Sequence, residues 1–292
     1  DKRIIRFIHE LLFIFKLKIK FWNRNITFTI FDFRNIFLHS IRRYFKKADF
    51  ILIDDGFYTF VAQKEYISKG LYLPINRYKG FAGIITKWLY FGTSYKRLKT
   101  TPIKLFTIYA DEIKNKLAVM NNLQEIKKRV EIFKGQFDDN LVYFAGTGMV
   151  ERGVVKLTQE LNLIMNLNNY WKKKGKTMYY VGKRATSKNK LSVFEANGIK
   201  TIQFDLPLEL VVTEIKKIPM HICTLGSTIQ KSLPLILGEK ITCYYINLEE
   251  FLERTDNVDA KINLDEVDYA AAFYSKNSKN INILSFDEYI DK

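Results

Sequence analysis

The sequence is poor in the residues that form disulfides and metal sites. It has two cysteines and three histidines among 292 residues. Cys223 and Cys243 each lie inside an apolar run typical of a strand, so we expect buried free thiols in a reducing compartment. His9, His39 and His221 are too scattered for a zinc site, whose ligands cluster. The sequence also lacks an Asp-x-Asp motif, which argues against a metal-dependent nucleotide-sugar enzyme with a single sheet domain.

Long apolar runs are missing as well. A helix that spans a bilayer needs about 18 or more apolar residues in a row, and the sequence has no such run. The most apolar stretch covers residues 4–22, where Arg6, Lys16, Lys18 and Lys20 interrupt it. Two interpretations stay open for this stretch: a helix that lies on a membrane face, or a crossover helix that runs into a strand within a domain.

Positive charge is in excess. Lys and Arg number 47 against 31 Asp and Glu, which gives a net charge of +16. Such a charge suits nucleic acid, an anionic membrane surface or anionic small substrates. The basic residues are spread along the whole chain, without a zinc knuckle or an aromatic-basic motif for single strands, so we expect no nucleic-acid partner. The 47% of hydrophobic residues indicates a globular chain.

Short apolar runs alternate with helical segments, which is typical of a parallel sheet with crossover helices. The alternation is clearest at residues 177–237, with strands predicted at residues 178–181, 199–204 and 221–225. A chain of this length is long enough for two domains. We therefore predict an α/β fold with an N-terminal domain over residues 1–135 and a C-terminal domain over residues 136–292.

The predicted N-terminal domain starts with an unusual element. Its first strand is predicted at residues 26–31, after a helix, although an α/β domain usually starts with a strand. We therefore expect this domain to lack its first strand. A second strand is predicted at residues 49–53, an edge strand at residues 104–109 and a closing helix at residues 111–133. In the second domain, a strand at residues 141–145 precedes a helix at residues 154–173.

An acidic motif, Asp54-Asp55-Gly56, follows the strand predicted at residues 49–53. A carboxylate just past a strand can face a cleft and act as a general base. Asp-Gly is also ordinary turn chemistry. Both interpretations stay open on the residues alone.

Glycine, hydroxyl and basic residues follow the predicted strands of the second domain. They are Gly146, Thr147, Gly148, Lys183, Arg184, Ser227 and Thr228. In parallel sheets ligands bind outside the carboxyl ends of the strands, so we expect these residues to share one edge. Glycines allow a backbone to approach a ligand closely, and hydroxyls and amides at a helix N-terminus bind phosphate. The sequence therefore predicts a phosphate site at this edge.

Glu209 completes the predicted site. It follows Pro207 by two positions and could accept hydrogen bonds from ribose hydroxyls. The alternatives are structural: a tight turn at the glycines, an N-cap at Ser227-Thr228, and a solvated basic pair at Lys183-Arg184.

Taken in this order, the motifs resemble those of the bacterial sialyltransferases of the lipooligosaccharide and polysialic acid classes. Asp54-Asp55-Gly56 matches the families' acidic-acidic-glycine motif. Residues 179–184, residues 207–209 and Ser227-Thr228 correspond to their tyrosine-rich strand, Pro-x-Glu-like turn and Ser-Ser/Thr pair. The resemblance covers about residues 50–248. The families' histidine has no counterpart here, and Lys183 or Arg184 stands near its place.

The resemblance implies a GT-B fold of two Rossmann-like domains with a cleft between them. It also implies an inverting transfer, without metal or other cofactor, of sialic acid or a related nonulosonic acid from a CMP-activated donor. Asp55, or failing that Asp54, would be the base. Ser227, Thr228 and Lys183 would hold the phosphate, and Glu209 the ribose.

The implied acceptor is a bacterial surface glycan, either lipooligosaccharide or capsule. The implied location is cytoplasmic and peripheral. The positive charge would hold the enzyme at the anionic inner face of the cell membrane. Two alternatives stay open: a related transferase that uses another nucleotide sugar, and a degenerate member that only binds a glycan or the membrane. Self-association also stays open.

Overall fold

The computed structural model describes residues 2–22, 24–54, 56, 58–75, 78–113, 115–151, 153, 155–247, 272–273, 275–276 and 281–289. The chain divides into two compact units, Asp1–Asn121 and Asn122–Lys292. Each unit contains one parallel sheet, so the predicted α/β class is confirmed.

The first unit is a four-stranded parallel sheet with its strands in the order β1-β2-β3-β4. The strands are β1 (Thr27–Ile30), β2 (Asp49–Ile53), β3 (Lys104–Thr107) and β4 (Ala118–Met120). The helices are α1 (Lys2–Lys20), α2 (Ile36–Tyr44), α3 (Tyr58–Glu65), α4 (Gly80–Phe91), α5 (Tyr95–Thr100) and α6 (Ala110–Ile113).

Two sequence predictions for this unit are wrong. The predicted helix at residues 111–133 is instead α6, then β4, then a helix at Gln124–Phe133. The Asn115 side chain accepts a hydrogen bond from Leu117 N at 2.8 Å, a turn that ends the helical path and lets β4 pair with β3. Because β4 covers its outer side, β3 is not an edge strand.

Two interactions fasten α1 and α2 to the first unit. Ile14 of α1 packs with Ile41 and Phe45 of the α2 region. Arg42 of α2 is buried and donates hydrogen bonds to the carbonyl oxygens of Tyr72, Leu98 and Thr101. Of the helices in the described residues, none has the length and apolar character needed to cross a membrane.

The second unit is a six-stranded parallel sheet with its strands in the order β7-β6-β5-β8-β9-β10. The strands are β5 (Gln136–Ala145), β6 (Thr177–Gly182), β7 (Lys200–Gln203), β8 (Lys217–Thr224), β9 (Thr242–Ile246) and β10 (Ile281–Leu284). The helices are α7 (Gln124–Phe133), α8 (Leu157–Lys173), α9 (Lys188–Ala196), α10 (Leu208–Val211), α11 (Ile229–Leu237) and a last short helix, Phe286–Tyr289.

The strands predicted at residues 178–181, 199–204 and 221–225 match β6, β7 and β8. The units divide at residue 121, before the predicted boundary at residue 135, because α7 packs against α11 of the second unit. Both cysteines are buried free thiols, as predicted. Burial raises the pKa of both thiols.

The strand order of the second unit fixes where a ligand can bind. From β5 the chain builds outward through β6 and β7, then returns to the other side of β5 and continues through β8, β9 and β10. This is the order of dinucleotide-binding Rossmann folds, in which the crevice lies where the direction of building reverses. Here that point lies between the carboxyl ends of β5 and β8.

Candidate functional site

A cavity of about 360 Å³ lies at the carboxyl ends of β5, β6, β7 and β8. Its lining includes six of the residues that the sequence predicted for donor binding: Gly146, Lys183, Arg184, Glu209, Ser227 and Thr228. Thr147 and Gly148 continue the loop after Gly146 without lining the cavity. The hydroxyl of Thr147 is buried and has no hydrogen-bond partner among the described residues. The edge of the sheet thus brings together most of the predicted site.

Gly146 is a position that only glycine fits. Its backbone N–H donates to Val181 O at 2.9 Å, which draws the loop after β5 tightly onto β6. A Cβ atom added here would collide with the Tyr180 hydroxyl and come within 3.0 Å of Val181 O. The glycine therefore serves a close approach of two backbone segments at the floor of the cavity.

The basic pair Lys183-Arg184 lies on a turn that other residues hold in place. Thr186 N donates to Lys183 O at 2.8 Å, which closes the turn. The side-chain amide of Gln203, at the end of β7, donates to Lys183 O at 2.7 Å and to Thr186 O at 3.2 Å. Both basic side chains are exposed at the rim of the cavity. The sequence prediction missed Gln203, because a polar residue at the end of one strand gives no sign that its side chain holds a turn after another strand.

Ser227 and Thr228 stand at the start of α11. Gly226 before them has φ +77, a backbone angle that favours glycine and turns the chain sharply out of β8. Thr228 is the N-cap residue, yet its side chain makes no capping hydrogen bond. The Thr228 side chain therefore does not make the hydrogen bond that is characteristic of an N-cap. The helix N-terminus carries partial positive charge, which favours an anion at this end of the cavity.

Glu209 is held in place by the neighbouring helix. It is half-buried in the first turn of α10, and its Oε1 accepts a hydrogen bond from Ser232 Oγ at 2.7 Å. Ser232 lies on α11, one turn after Thr228. The sequence prediction missed it because no local pattern links a helix serine to Glu209. This carboxylate can accept hydrogen bonds from a ligand's hydroxyls, while the basic pair and the helix start suit a phosphate.

An apolar wall completes the cavity. Phe204 follows β7, and Leu206, Pro207 and Leu208 lead into α10. An aromatic ring and flat aliphatic surface suit a planar ring of a ligand, because aromatic rings stack well on such surfaces. The sequence prediction gave Phe204 and Leu206 no place in the site, because apolar side chains between elements resemble ordinary core. It treated Pro207 and Leu208 only as part of a turn.

A buried polar network lies beneath Gly146. Tyr180 donates to Glu160 Oε1 at 2.9 Å, and Lys190 Nζ lies 2.7 Å from Glu160 Oε2. Glu160 and Lys190 are 0% and 2% exposed. Burial raises the pKa of Glu160, and Lys190 opposes that rise. The network fixes the Tyr180 ring against which Gly146 packs.

The acidic motif lies in the first unit, at the carboxyl end of β2. Asp54 Oδ2 accepts a hydrogen bond from Ile108 N at 2.6 Å, and Oδ1 accepts one from Thr59 Oγ1 at 3.2 Å. Burial raises the pKa of Asp54, and these hydrogen bonds oppose the rise. The carboxylate of Asp54 thus fastens the end of β2 to the end of β3. Asp55 lies outside the described residues.

Comparison with protein families and with curated proteins adds no relative to this description. No protein-family model matches the chain, and no curated protein matches it significantly. The chemistry of the chain's own residues is therefore the basis for assigning a function.

Proposed function

We propose that this chain is a glycosyltransferase of the GT-B type. It moves sialic acid, or a related nonulosonic acid, from a CMP-activated donor to a bacterial surface glycan, either lipooligosaccharide or capsule. The transfer inverts the anomeric centre and uses no metal. The enzyme works in the cytoplasm, attached peripherally to the inner face of the cell membrane.

One observation carries the proposal. It is the cavity at the carboxyl ends of β5 and β8, where the strand order of the second unit's sheet reverses direction. It combines a basic rim at Lys183 and Arg184, a helix start at Thr228, a carboxylate at Glu209 and an apolar wall. These are the groups that a nucleoside monophosphate needs, namely charge for the phosphate, an acceptor for the ribose hydroxyls and a flat surface for the base. The volume of about 360 Å³ lies within the range of small-molecule sites.

The proposed reaction is one displacement at the anomeric carbon of the donor sugar. The acceptor hydroxyl oxygen forms the new bond, and the bond from that carbon to the phosphate oxygen breaks. The electron pair of the broken bond leaves with CMP, whose phosphate Ser227, Thr228 and Lys183 hold as its negative charge grows. Asp55 takes the proton of the acceptor hydroxyl, as the motif resemblance implies.

Release of CMP from CMP-sialic acid tests the activity directly. With lipooligosaccharide as acceptor, we expect wild-type protein to release CMP and to sialylate the glycan. We expect Asp55→Asn to reduce both by roughly 10²–10⁴, the usual contribution of a general base.

A panel of nucleotides in a thermal-shift assay distinguishes the alternatives. Stabilisation by a uridine or guanosine diphosphate but not by CMP would assign another nucleotide sugar, and stabilisation by CMP without donor turnover would indicate a non-catalytic protein.

A further inference from the structure

A second cavity, of about 720 Å³, lies in the first unit at the amino ends of β1 and β2, while Asp54 lies at the carboxyl end of β2. The ends of α1 and α2 and the residues that follow each of them form most of its walls. Its lining contains the basic residues Lys18, Arg24, Arg43, Lys46 and Lys47. None of the described residues that line it is acidic.

These five basic side chains lie together around one cavity. Within the described ranges of the chain, none of the five forms an ion pair. Like charges around one cavity repel one another, which disfavours the folded arrangement. An anion bound among them reverses the sign of that interaction. The cavity therefore has the electrostatics of an anion site.

An exposed apolar face of α1 leads to this cavity. Its residues are spaced alternately by three and four positions, which places them on one side of the helix. They are 49–69% exposed: Ile5, Ile8, Leu12, Phe15, Ile19 and Trp22, the last just past the helix end. Lys16 and Lys20 lie beside this face, and the opposite side of α1 buries Ile14. Lys18 and Trp22 also line the cavity, so the apolar face and the basic cavity are continuous.

We propose that the basic cavity binds the phosphate-bearing headgroup of an anionic lipid while the apolar face of α1 enters the lipid surface. Interfacial helices have this division between an apolar face and basic flanks. Tryptophan favours the interface between membrane and water. A second copy of the chain would bring the same basic residues against this surface, so charge disfavours it as the occupant. The inference builds on the proposed membrane location and is independent of the donor and the reaction.

Vesicle flotation with matched variants tests the site. The cavity variant is Arg43→Gln, Lys46→Gln and Lys47→Gln, and the control removes the same charge from exposed positions of the second unit: Arg129→Gln, Lys172→Gln and Lys188→Gln. The vesicles contain phosphatidylcholine alone or mixed with phosphatidylglycerol. We expect wild-type protein and the control to bind the mixed vesicles and to be released by salt. The cavity variant should bind them about a hundredfold more weakly, the effect of three basic residues near an anionic surface.

Other outcomes overturn the proposal. Equal loss by the cavity variant and the control would mean that net charge alone attracts the vesicles. If wild-type protein binds no vesicle, both the headgroup site and the membrane location fail, while CMP release still reports on the transferase. The wild-type protein could instead bind soluble glycerol phosphate and no vesicles, and the cavity variant could lose that binding. This result would assign a soluble phosphate ligand to the cavity, against the proposal.

The apolar face has its own variant, Leu12→Ser with Phe15→Ser. We expect it to bind mixed vesicles at least tenfold more weakly, since burying a leucine and a phenylalanine contributes more than that factor. Unchanged vesicle binding together with conversion of an oligomer to a monomer would identify the face as a contact between copies, against the proposal. Thermal unfolding of every variant verifies that the fold is retained.

Discussion

Replacing Lys190 with methionine should destabilise the second unit strongly. The ammonium lies 2.7 Å from Glu160 Oε2, and the two side chains are 2% and 0% exposed. Removing one partner of a buried ion pair leaves an uncompensated charge and typically costs about 3–5 kcal/mol of the free energy of unfolding. At roughly 2–4 °C per kcal/mol for a domain of this size, we expect Tm to fall by about 6–20 °C.

The loss should depend on pH in a defined direction. Burial raises the pKa of Glu160 above its ordinary value, and Lys190 opposes that rise. Without the lysine the folded-state pKa rises further. A carboxyl with a raised folded-state pKa favours folding while it is protonated and loses that contribution as pH rises. Thermal unfolding followed by circular dichroism should therefore show a smaller deficit at about pH 5 than at about pH 8.

Two variants control this measurement. Lys188→Met removes an exposed lysine from the same helix and should leave Tm close to the wild-type value. Combining Lys190→Met with Glu160→Gln removes the stranded charge and should recover part of the loss. An unchanged Tm in Lys190→Met, or a deficit equal at both pH values, would refute the stabilising role assigned to the buried pair.

Two further predictions concern the predicted site residues. Asp54→Asn should lower Tm, because both carboxylate oxygens accept hydrogen bonds, from Ile108 N and Thr59 Oγ1, and an amide has only one acceptor oxygen. Asp55→Asn should instead leave Tm unchanged and lower turnover by roughly 10²–10⁴. The opposite pattern would make Asp54 the base. Gly146→Ala should lower Tm, because its Cβ would collide with the Tyr180 hydroxyl and overpacking costs about 1–3 kcal/mol of the free energy of unfolding. It should also weaken CMP binding measured by calorimetry. Wild-type values of both quantities would contradict the close approach at Gly146.

The sequence predicted those parts of the fold whose signal is local. Residues 178–181 and 221–225 are short runs of mostly apolar residues, and residues 199–204 form a short strand-like segment between two helical ones, so the places of the strands could be read directly. The grouping of Lys183, Arg184 and Thr228 at one edge followed from a geometric rule, because parallel strands with crossover helices end on the same side. No contact between these residues had to be known.

The features that the sequence could not predict depend on contacts between distant residues. The segment at residues 111–133 has a helical, lysine-rich pattern that hides β4, whose three residues form a strand only through their pairing with β3. Glu160, Tyr180 and Lys190 meet from three different elements. Gln203 and Ser232 act on the site through the turn at Lys183 and through Glu209, which no local pattern indicates.

The measurement that tests the donor site most directly is calorimetric titration of CMP and of cytidine into wild-type protein and into the double variant Ser227→Ala with Thr228→Val. Hydrogen bonds to a charged group contribute roughly 1.5–3 kcal/mol. We therefore expect the double variant to bind CMP at least about tenfold more weakly and cytidine with unchanged affinity. Equal losses for both ligands, or a wild-type protein that binds CMP no more tightly than cytidine, would contradict a phosphate site at the start of α11.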